Sequence, residues 1–351
     1  MTIEELNLEI KNHFPPYINN IQSGSILKIT EKYLEEFYAL ISKIDDTFYN
    51  HVNKEFVLKQ VENQNLSILE SINHFLEGEI IEYYLSIYNT FFNSDLGIKN
   101  VYYKKWPSKQ KFYRLRTNSP NKKYKNKEMF HIPFEEIRKT GNQRFSLSGH
   151  PALYLGSSSF ICWEELNNPS LEFCNFSVFS NESELNIFDL TPPEIMEPSQ
   201  LLRFPLIIAS SIKLNNDGYN FKPEYIIPQA LYFSILRFNK IDLTKEKKEV
   251  NRLDGILYLS THISNDLLFN DLNLMHNFVF PIARINDLGY CDKLKKQFSV
   301  SESRSVNDLW LKYPHFFVSG NEEYSEEYEL SIFHTIEKYI CGRTVYKSLL
   351  E

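Results

Sequence analysis

The spacing of apolar residues changes near residue 99, and this change limits the folds open to the chain. Before that point the sequence has the period of amphipathic helices, and in SILKITEKYLEEFYALISKI (25–44) apolar side chains recur every three or four residues. The stretch 54–92 continues in the same way, with no Pro and with Gly78 as its one Gly. Beyond residue 99 come short runs rich in β-branched and aromatic residues, a pattern typical of strands. We therefore expect an α+β protein in which a helical region precedes a region built on a β-sheet.

The second region alternates predicted strands with helical segments. A helix is predicted over 224–239, where Pro228 opens or kinks it, and the tail 325–351 is predicted to contain further helix. The predicted strands are KFYRLRTN (111–118), PALYLG (151–156), CNFSVFSN (174–181), LNIFDLT (185–191) and DGILYLST (254–261). The simplest partition is a helical domain of residues 1–100 followed by a second domain of residues 101–351.

Composition excludes several classes of protein. The formal net charge of −7 argues against a protein whose whole surface binds nucleic acid. The four cysteines have no spacing typical of a metal site or redox pair, so we expect buried free thiols, a reducing compartment and no bound metal. The N-terminus does not resemble a signal peptide, and no run approaches the roughly 18 apolar residues of a membrane span. We expect a soluble, cytoplasmic protein with no membrane partner.

The stretch 99–127 contains 11 Lys or Arg residues and no acidic residue. Such a run is most often a solvated linker face. It could also draw an anionic ligand or an acidic partner toward a site. Nucleic acid is the weaker form of that hypothesis, because no recognisable nucleic-acid module is present.

Three segments of the second region place polar residues at or near strand ends. The first is FYRLR, where Arg114 and Arg116 share one face of an alternating strand. The second is QRFSLSGHPALYLGSSSFICWEEL (143–166), and the third is DGILYLS, which ends in Ser260. The planar fork of arginine suits phosphate and pyrophosphate. A carboxylate can stabilise the positive charge that develops on a sugar carbon when its glycosidic bond breaks.

These segments resemble the RES domain, a family named for its Arg, Glu and Ser residues. KFYRLR is similar to the opening "YR" strand of that family, and PALYLG to its "ALYLA" strand. EYIIPQALYFSI is similar to its "PQ" helix and DGILYLS to its "DGIxYxS" strand. The four blocks occur in the order of the family over about residues 110–282. The chain departs from the family at two places: Phe145 stands where a Trp is usual, and SLSG replaces the usual NPPG turn.

The resemblance implies a fold related to ADP-ribosyltransferases, with a split mixed β-sheet, and an activity on NAD. Members of the family are toxins of toxin–antitoxin pairs that degrade NAD by hydrolysis or phosphorolysis, or transfer its ADP-ribose to a target. A neutralising antitoxin protein and a homo-oligomer are therefore implied partners. NAD would be the substrate, with no further cofactor.

The resemblance also implies which residues form the site. The family Arg corresponds to Arg114, with Arg116 as the rival two residues along; the family Ser corresponds to Ser260. Tyr154 corresponds to the tyrosine of "ALYLA". Counted from that tyrosine, the family Glu corresponds to Glu165, with Glu164 as the rival. Glu165, Arg114, Ser260 and Tyr154 would be catalytic. The residues expected to contact NAD are Arg144, Arg116 and Gln229.

Each of these residues also has an ordinary structural interpretation. Adjacent glutamates usually form a solvated helix face, and Tyr154 in an apolar strand would otherwise belong to the core. Isolated histidines are more often structural than catalytic, so His262, two residues past Ser260, is set apart from the catalytic set. The serines 157–159 are expected to cap the helix that carries Glu165 and to leave its N-terminal amides facing an anion.

The helices of residues 1–100 resemble, more weakly, the HEPN-associated region of some longer RES proteins. A HEPN ribonuclease requires an Arg and a nearby His on one helix, and no Arg precedes Arg114. The helical region is therefore expected to be regulatory, oligomerising or partner-sensing. Two other functions stay open for the chain: an ADP-ribosyltransferase acting on a protein or nucleic acid, and a catalytically silent binding module of the same fold.

Overall fold

The structure is a computed structural model that describes most of the chain. Within it, the α+β class is confirmed: a helical N-terminal part is followed by a part rich in β-strands. The described residues are 1–17, 21–49, 52–93, 98–119, 124–215, 220–244, 252–262, 271–282, 286–308, 328–342 and 347–348.

The helices and strands are numbered here in chain order. The α-helices are α1 (Ile3–His13), α2 (Ile26–Ser42), α3 (Asp46–Tyr49), α4 (Lys54–Glu77), α5 (Ile80–Phe91), α6 (Ser159–Glu164), α7 (Phe204–Ser211), α8 (Ile226–Thr244), α9 (Asp292–Gln297) and α10 (Ile332–Gly342). The strands are β1 (Tyr103–Trp106), β2 (Lys111–Thr117), β3 (Ala152–Gly156), β4 (Cys174–Asn181), β5 (Leu185–Asp189), β6 (Gly255–Leu259), β7 (His276–Pro281), β8 (Phe298–Val300), β9 (Arg304–Ser305) and β10 (Lys347–Ser348).

The chain divides into two compact units that are discontinuous in sequence. The first comprises residues 1–104, 141–148 and 186–254, and the second comprises residues 105–140, 149–185 and 255–351. The N-terminal helices thus share a unit with α7 and α8. The predicted domain boundary at residue 100 stays a prediction.

The first unit is a helical body with an aromatic core. The ring of Phe37 from α2 stacks on that of Phe204 from α7, with centroids 5.1 Å apart. The hydroxyl of Tyr83, from α5, donates to the carbonyl of Ile226 at the start of α8, at 2.6 Å. These contacts join the N-terminal helices to the later ones, so both sets contribute to one core.

The second unit is built on a sheet whose strand order is β6-β7-β3-β2-β4-β8-β10, with β9 paired to β4. The long pairing of β2 with β4 is antiparallel and runs from Lys111 opposite Ser180 to Thr117 opposite Cys174. Between β2 and β3, in the described part, the register contains the single pair Tyr113–Gly156. The ladder is therefore short at the centre of the sheet, between two of the strands predicted to carry the site.

Two apolar clusters cover this sheet. One contains Tyr113 and Leu115 of β2, Phe176 and Val178 of β4, and Ile336 of α10. The other packs Phe160 and Ile161 of α6 against Leu259, Met275 and Phe333. Helices α6 and α10 are thereby fixed to the sheet by burial of large apolar side chains.

The described cysteines agree with the expectation of free thiols. None is in a disulfide; Cys162, Cys174 and Cys291 are buried, and Cys341 is partly exposed. Among the described helices, none has both the length and the apolar character needed to cross a membrane.

Candidate active site

Glu165 lies at the C-cap of the short helix α6. The Ser158 side chain caps the start of this helix by accepting from the Ile161 amide at 3.1 Å, as expected for one of the three serines. The Glu165 amide still donates to the Ile161 carbonyl, at 3.0 Å. The glutamate is thus positioned by one turn of helix fixed at both ends.

One oxygen of the Glu165 carboxylate is held by two neutral donors. The Ser260 hydroxyl and the Asn277 amide both donate to Oε1, each at 2.5 Å. Hydrogen bonds to an ionised acceptor are stronger than neutral ones, and two of them fix the plane of the carboxylate. Ser260 was predicted as a site residue, whereas Asn277, on β7, was not.

The other oxygen faces a histidine. Oε2 of Glu165 is 3.7 Å from Nε2 of His262, and about 28% of the glutamate side chain is exposed. The backbone amide of His262 donates to the Ser260 hydroxyl at 3.1 Å, so Ser260 accepts one bond and gives another. The sequence pointed to His262 only through its place two residues beyond Ser260.

Glu164 has different surroundings. Its Oε1 accepts from the Asn168 side chain at 3.0 Å, a local contact in the turn after α6, and the residue is buried. Of the two adjacent glutamates, the structure therefore brings Glu165, and not Glu164, to Ser260.

Arg114 and Arg116 extend from one face of β2 and are both held by backbone carbonyls. Arg114 donates from Nη1 to the Tyr154 carbonyl on β3 at 2.6 Å, and Arg116 from Nη2 to the Phe130 carbonyl at 2.9 Å. A continued β2–β3 ladder would satisfy a carbonyl such as that of Tyr154 through a backbone amide. Here a guanidinium does so instead, at the point where the ladder is short.

Neither guanidinium forms an ion pair with a described carboxylate. Burial lowers the pKa of Arg114 to about 9, and repulsion from Arg116 lowers it further. Burial likewise lowers the pKa of Arg116. Both groups remain charged at neutral pH. The charges of Glu128 and Glu136 act on Arg116 in the opposite direction and raise its pKa. Two neighbouring, partly buried cations without a direct ion pair among the described residues favour an anionic ligand.

Cys162, on α6, contacts strand β2 through its thiol. Its thiol donates to the Tyr113 carbonyl at 3.2 Å, and burial raises its pKa to about 12. The charge of Arg114 lowers the pKa of this thiol, and the charge of Glu165 raises it. The structure thus brings Glu165 to Ser260, and Arg114 to the backbone carbonyl of the partly exposed Tyr154.

The N-terminus of α6 faces a carboxyl group that belongs to the chain itself. The Ser159 amide donates to Oε1 of Glu337, on α10, at 2.6 Å, and the Tyr328 hydroxyl donates to the same oxygen at 2.6 Å. Burial raises the pKa of Glu337, and these hydrogen bonds oppose that effect. The N-terminus of α6, at the end of the helix opposite Glu165, is therefore closed by a carboxyl group of the chain itself.

Arg144 and Gln229 belong to the first unit and have backbone partners there. Arg144 donates to the carbonyls of Ser210 and Ile212, at 2.9 and 3.2 Å, and its guanidinium lies 5.0 Å from the Tyr225 ring centroid. Gln229 donates to the Asn142 side chain at 2.8 Å and to the Gln143 carbonyl at 3.0 Å. Their predicted contact with NAD stays a prediction.

The basic stretch is partly neutralised by nearby acids. Lys105 and Lys109 pair with Glu184 and Glu182 in the second unit, and Lys104 pairs with Asp189 in the first. The pairs of Lys105 and Lys109 are exposed, so they are weak and typical of a solvated face, whereas Asp189 is buried.

One group of described residues has the geometry to hold a metal ion: His74, Glu77 and Glu79, whose ligand atoms lie within 4.8 Å of one another. Its His74 and Glu79 already contact each other directly, at 2.6 Å. The group lies in the first unit, whereas the residues predicted to be catalytic belong to the second.

Comparison with known proteins gives one informative match. The chain is 34% identical over 212 residues to a Bacillus subtilis (strain 168) protein named "Putative toxin YopC". The match covers 55% of this chain and 45% of that protein, so the chain spans less than half of the relative. No family model and no solved structure matches the chain.

Proposed function

We propose that this protein is a toxin-like enzyme that cleaves the nicotinamide–ribose bond of NAD and so depletes it. The observation that supports this most is the fixed carboxylate of Glu165, with Ser260 and Asn277 on one oxygen. The same unit holds two arginines, Arg114 and Arg116, that form no ion pair with a described carboxylate. The resemblance of four sequence blocks to RES domains points the same way.

The chemistry assigns a role to each group. The C–N bond between ribose and nicotinamide breaks, its electron pair leaves with nicotinamide, and positive charge develops at the anomeric carbon. Glu165 would stabilise that charge, and Arg114 and Arg116 would hold the pyrophosphate. Water or phosphate then adds to the carbon; with water, the released proton passes to solvent or to a nearby base such as His262.

The toxin character rests on the relative. A protein that shares 34% identity over 212 residues is named a toxin, and loss of NAD would account for toxicity. Growth of a bacterial culture after induced expression, with and without Glu165→Gln, measures this directly. A neutralising antitoxin, a homo-oligomer and a cytoplasmic location remain parts of the proposal.

The deciding experiment is NAD turnover by the purified chain with and without phosphate, beside Glu165→Gln. Loss of the carboxylate charge should lower turnover by about a hundredfold or more, the cost of removing a group that stabilises transition-state charge. Dependence on phosphate would identify phosphorolysis, and turnover without it would identify hydrolysis.

The neighbouring residue provides the matched control. Glu164→Gln changes the same group in the same helix, yet Glu164 contacts Asn168 instead of Ser260. It should retain turnover. Loss of activity in Glu164→Gln alone would move the catalytic role by one residue. An ADP-ribose adduct on a target, without bulk NAD loss, would favour the transferase, and NAD binding without either reaction would favour the binding module.

A further inference from the structure

Strand β4 carries four buried polar residues that the sequence did not single out, and two of them, Asn175 and Ser177, share one face of the sheet. Asn175 is 2% exposed and Ser177 is 0% exposed. The strand is otherwise covered on both sides, since all eight of its residues are buried. Polar side chains at such positions normally have hydrogen-bond partners.

The strand register places these two residues beside the unpaired arginines. Ser177 lies directly opposite Arg114, and Asn175 lies directly opposite Arg116. Directly opposed residues of an antiparallel pair point to the same face of the sheet, with Cβ atoms roughly 5 Å apart. The four side chains therefore form one polar patch on a sheet face that also carries Phe112 and Phe179, which we call the β2–β4 patch (Arg114, Arg116, Asn175, Ser177).

Each member of the β2–β4 patch has a buried polar atom without a partner among the described residues. The atoms are Nε of Arg114, Nε of Arg116, Oδ1 of Asn175 and Oγ of Ser177. A single buried group of this kind is common enough, but four on adjacent positions of two strands form a site that is polar and unsatisfied. Burial of such groups is costly unless something else supplies the missing hydrogen bonds.

We infer that Asn175 and Ser177 bind the ligand together with Arg114 and Arg116, and that the part they hold is its pyrophosphate. This inference rests on the proposed function, which supplies the dinucleotide. The two guanidiniums require negative charge, and a pyrophosphate presents several acceptor oxygens over a span that two arginines at alternate strand positions can reach. The Ser177 hydroxyl can donate to one of these oxygens.

The Asn175 amide fits the same ligand after a simple rotation. The O and N atoms of an amide are assigned from the surrounding hydrogen bonds, and a half-turn of the group exchanges them. Turned in this way, Asn175 presents Nδ2 to an anion between itself and Arg116. All four members of the patch then donate to the ligand.

The test is binding of inorganic pyrophosphate to the full chain, measured by calorimetry, with Asn175→Asp as the main variant. Aspartate has nearly the shape of asparagine and places a carboxylate opposite Arg116, where an internal ion pair would replace the ligand. We expect this variant to fold, with an unchanged or higher Tm, and to bind pyrophosphate about tenfold more weakly or worse. Ser177→Ala should weaken binding in the same direction.

Ser180→Ala is the matched control. Ser180 lies on the same strand and is also buried, but it is on the alternate face, opposite Lys111. It should leave the affinity for pyrophosphate unchanged. Wild-type affinity in both Asn175→Asp and Ser177→Ala, or no binding of pyrophosphate to the wild type, would overturn the inference and leave ordered water as the partner of these groups. Equal affinity for inorganic phosphate and pyrophosphate would overturn the pyrophosphate assignment.

The failure of this inference can be told apart from that of the proposed function. If Glu165→Gln abolishes NAD cleavage while Asn175→Asp binds pyrophosphate normally, the enzyme stands and the role of β4 is wrong. If pyrophosphate binding depends on Asn175 and Ser177 but the chain never cleaves NAD, the anion site stands and the reaction is wrong.

Discussion

Both ring nitrogens of His131 are engaged in the interior of the second unit. Nδ1 donates to the Ile132 carbonyl at 2.7 Å, and Nε2 accepts from the Cys291 amide at 2.9 Å. This arrangement requires the neutral imidazole. Burial lowers the pKa of His131 to about 4, and the charges of Arg114 and Arg116 lower it further, although the bond to Ile132 opposes them.

We therefore predict that His131 makes the fold less stable in mild acid. Its pKa is lower in the folded chain than the ordinary value of 6.5, so the unfolded chain binds the proton more readily between pH 6.5 and about 4. The contribution of His131 to the free energy of unfolding is fully present above pH 6.5. It falls by at most about 3 kcal/mol as the pH falls toward 4. Urea unfolding at several pH values measures it.

The difference between the wild type and His131→Gln isolates the imidazole from other titrating groups. Gln can still accept from the Cys291 amide, and it should flatten this part of the pH dependence. An identical acid loss in the wild type and in His131→Gln would contradict the neutral, buried histidine.

Asn277 supports a second prediction at this scale. Its amide donates to the same Glu165 oxygen as Ser260, so its loss frees the carboxylate to rotate. Asn277→Ala should lower kcat for NAD by about tenfold to a hundredfold and change KM little, because the lost contact orients a charge-stabilising group. Asn273→Ala, an exposed asparagine just before β7, is the control; an equal effect in both variants would show that the contact does not matter.

The sequence anticipated some of these residues and not others, for a physical reason. Glu165 and Ser260 are in short motifs whose local order is visible along the chain. Asn277 is 112 positions from Glu165, and only the pairing of β7 with β3 brings it there. Similarly, Ser177 and Asn175 look like ordinary strand residues in the sequence. Only the pairing of β4 with β2 shows that they lie opposite two arginines.

Among the elements, the close packing of α6 on β3 depends on Gly156. A Cβ at this position would lie 2.6 Å from Cγ2 of Ile161, 2.7 Å from Sγ of Cys162 and 3.0 Å from the Ser158 carbonyl. Glycine at this position therefore lets the helix that carries Glu165 lie close to the strand.

Gly156→Ala should therefore destabilise the chain by about 1–3 kcal/mol, the usual cost of overpacking a filled site. It should also lower NAD turnover, because α6 must move away from β3. Gly141→Ala is the control, since an added Cβ there meets no atom within 4 Å. Thermal unfolding and turnover of the two variants give the comparison; a Gly156→Ala protein with wild-type Tm would mean that α6 shifts freely.

The elements themselves were predictable where apolar residues recur with a helical period, or where β-branched and aromatic residues form a short run. The helix predicted over 25–44 is α2 (Ile26–Ser42), and the strand predicted over 174–181 is β4 (Cys174–Asn181). The stretch 54–92 forms two helices, because Gly78 adopts a left-handed conformation, with φ of 84°, that ends α4. Helix α7 was missed: all eight of its residues are buried, so its sequence has no polar face and no helical period.

At the scale of the whole chain, sequence order and compact units differ. The sequence predicted a helical part and a sheet-containing part, and both are present. Periodicity alone cannot show which helices pack together. Within the first unit, α2 and α4 pack on α7, and α5 packs on α8. The N-terminal helices therefore share a core with segments that come more than 100 residues later.

This shared core yields a prediction about the proposed regulatory role of residues 1–100. If these helices were a detachable inhibitor, residues 100–351 would fold alone and be more active and more toxic than the full chain. Removing them, however, would expose Phe204, which stacks on Phe37, and would remove the Tyr83 hydroxyl from the Ile226 carbonyl. Exposure of such an apolar surface promotes aggregation. We expect the shortened chain to be insoluble or poorly folded, whereas regulation would act through a partner that binds the intact helices.

A milder variant separates folding from regulation. Phe37→Leu keeps the chain length and removes the stacked ring, so it should lower Tm by a few degrees, in proportion to about 1 kcal/mol of lost packing. NAD turnover per folded molecule should stay the same, because in the described part of the chain the partners of the Glu165 carboxylate, Ser260, Asn277 and His262, all belong to the second unit. A soluble, hyperactive 100–351 fragment, or a Phe37→Leu protein with raised turnover, would show instead that the N-terminal helices restrain the enzyme. Retained activity with lowered Tm would show that they are part of its scaffold.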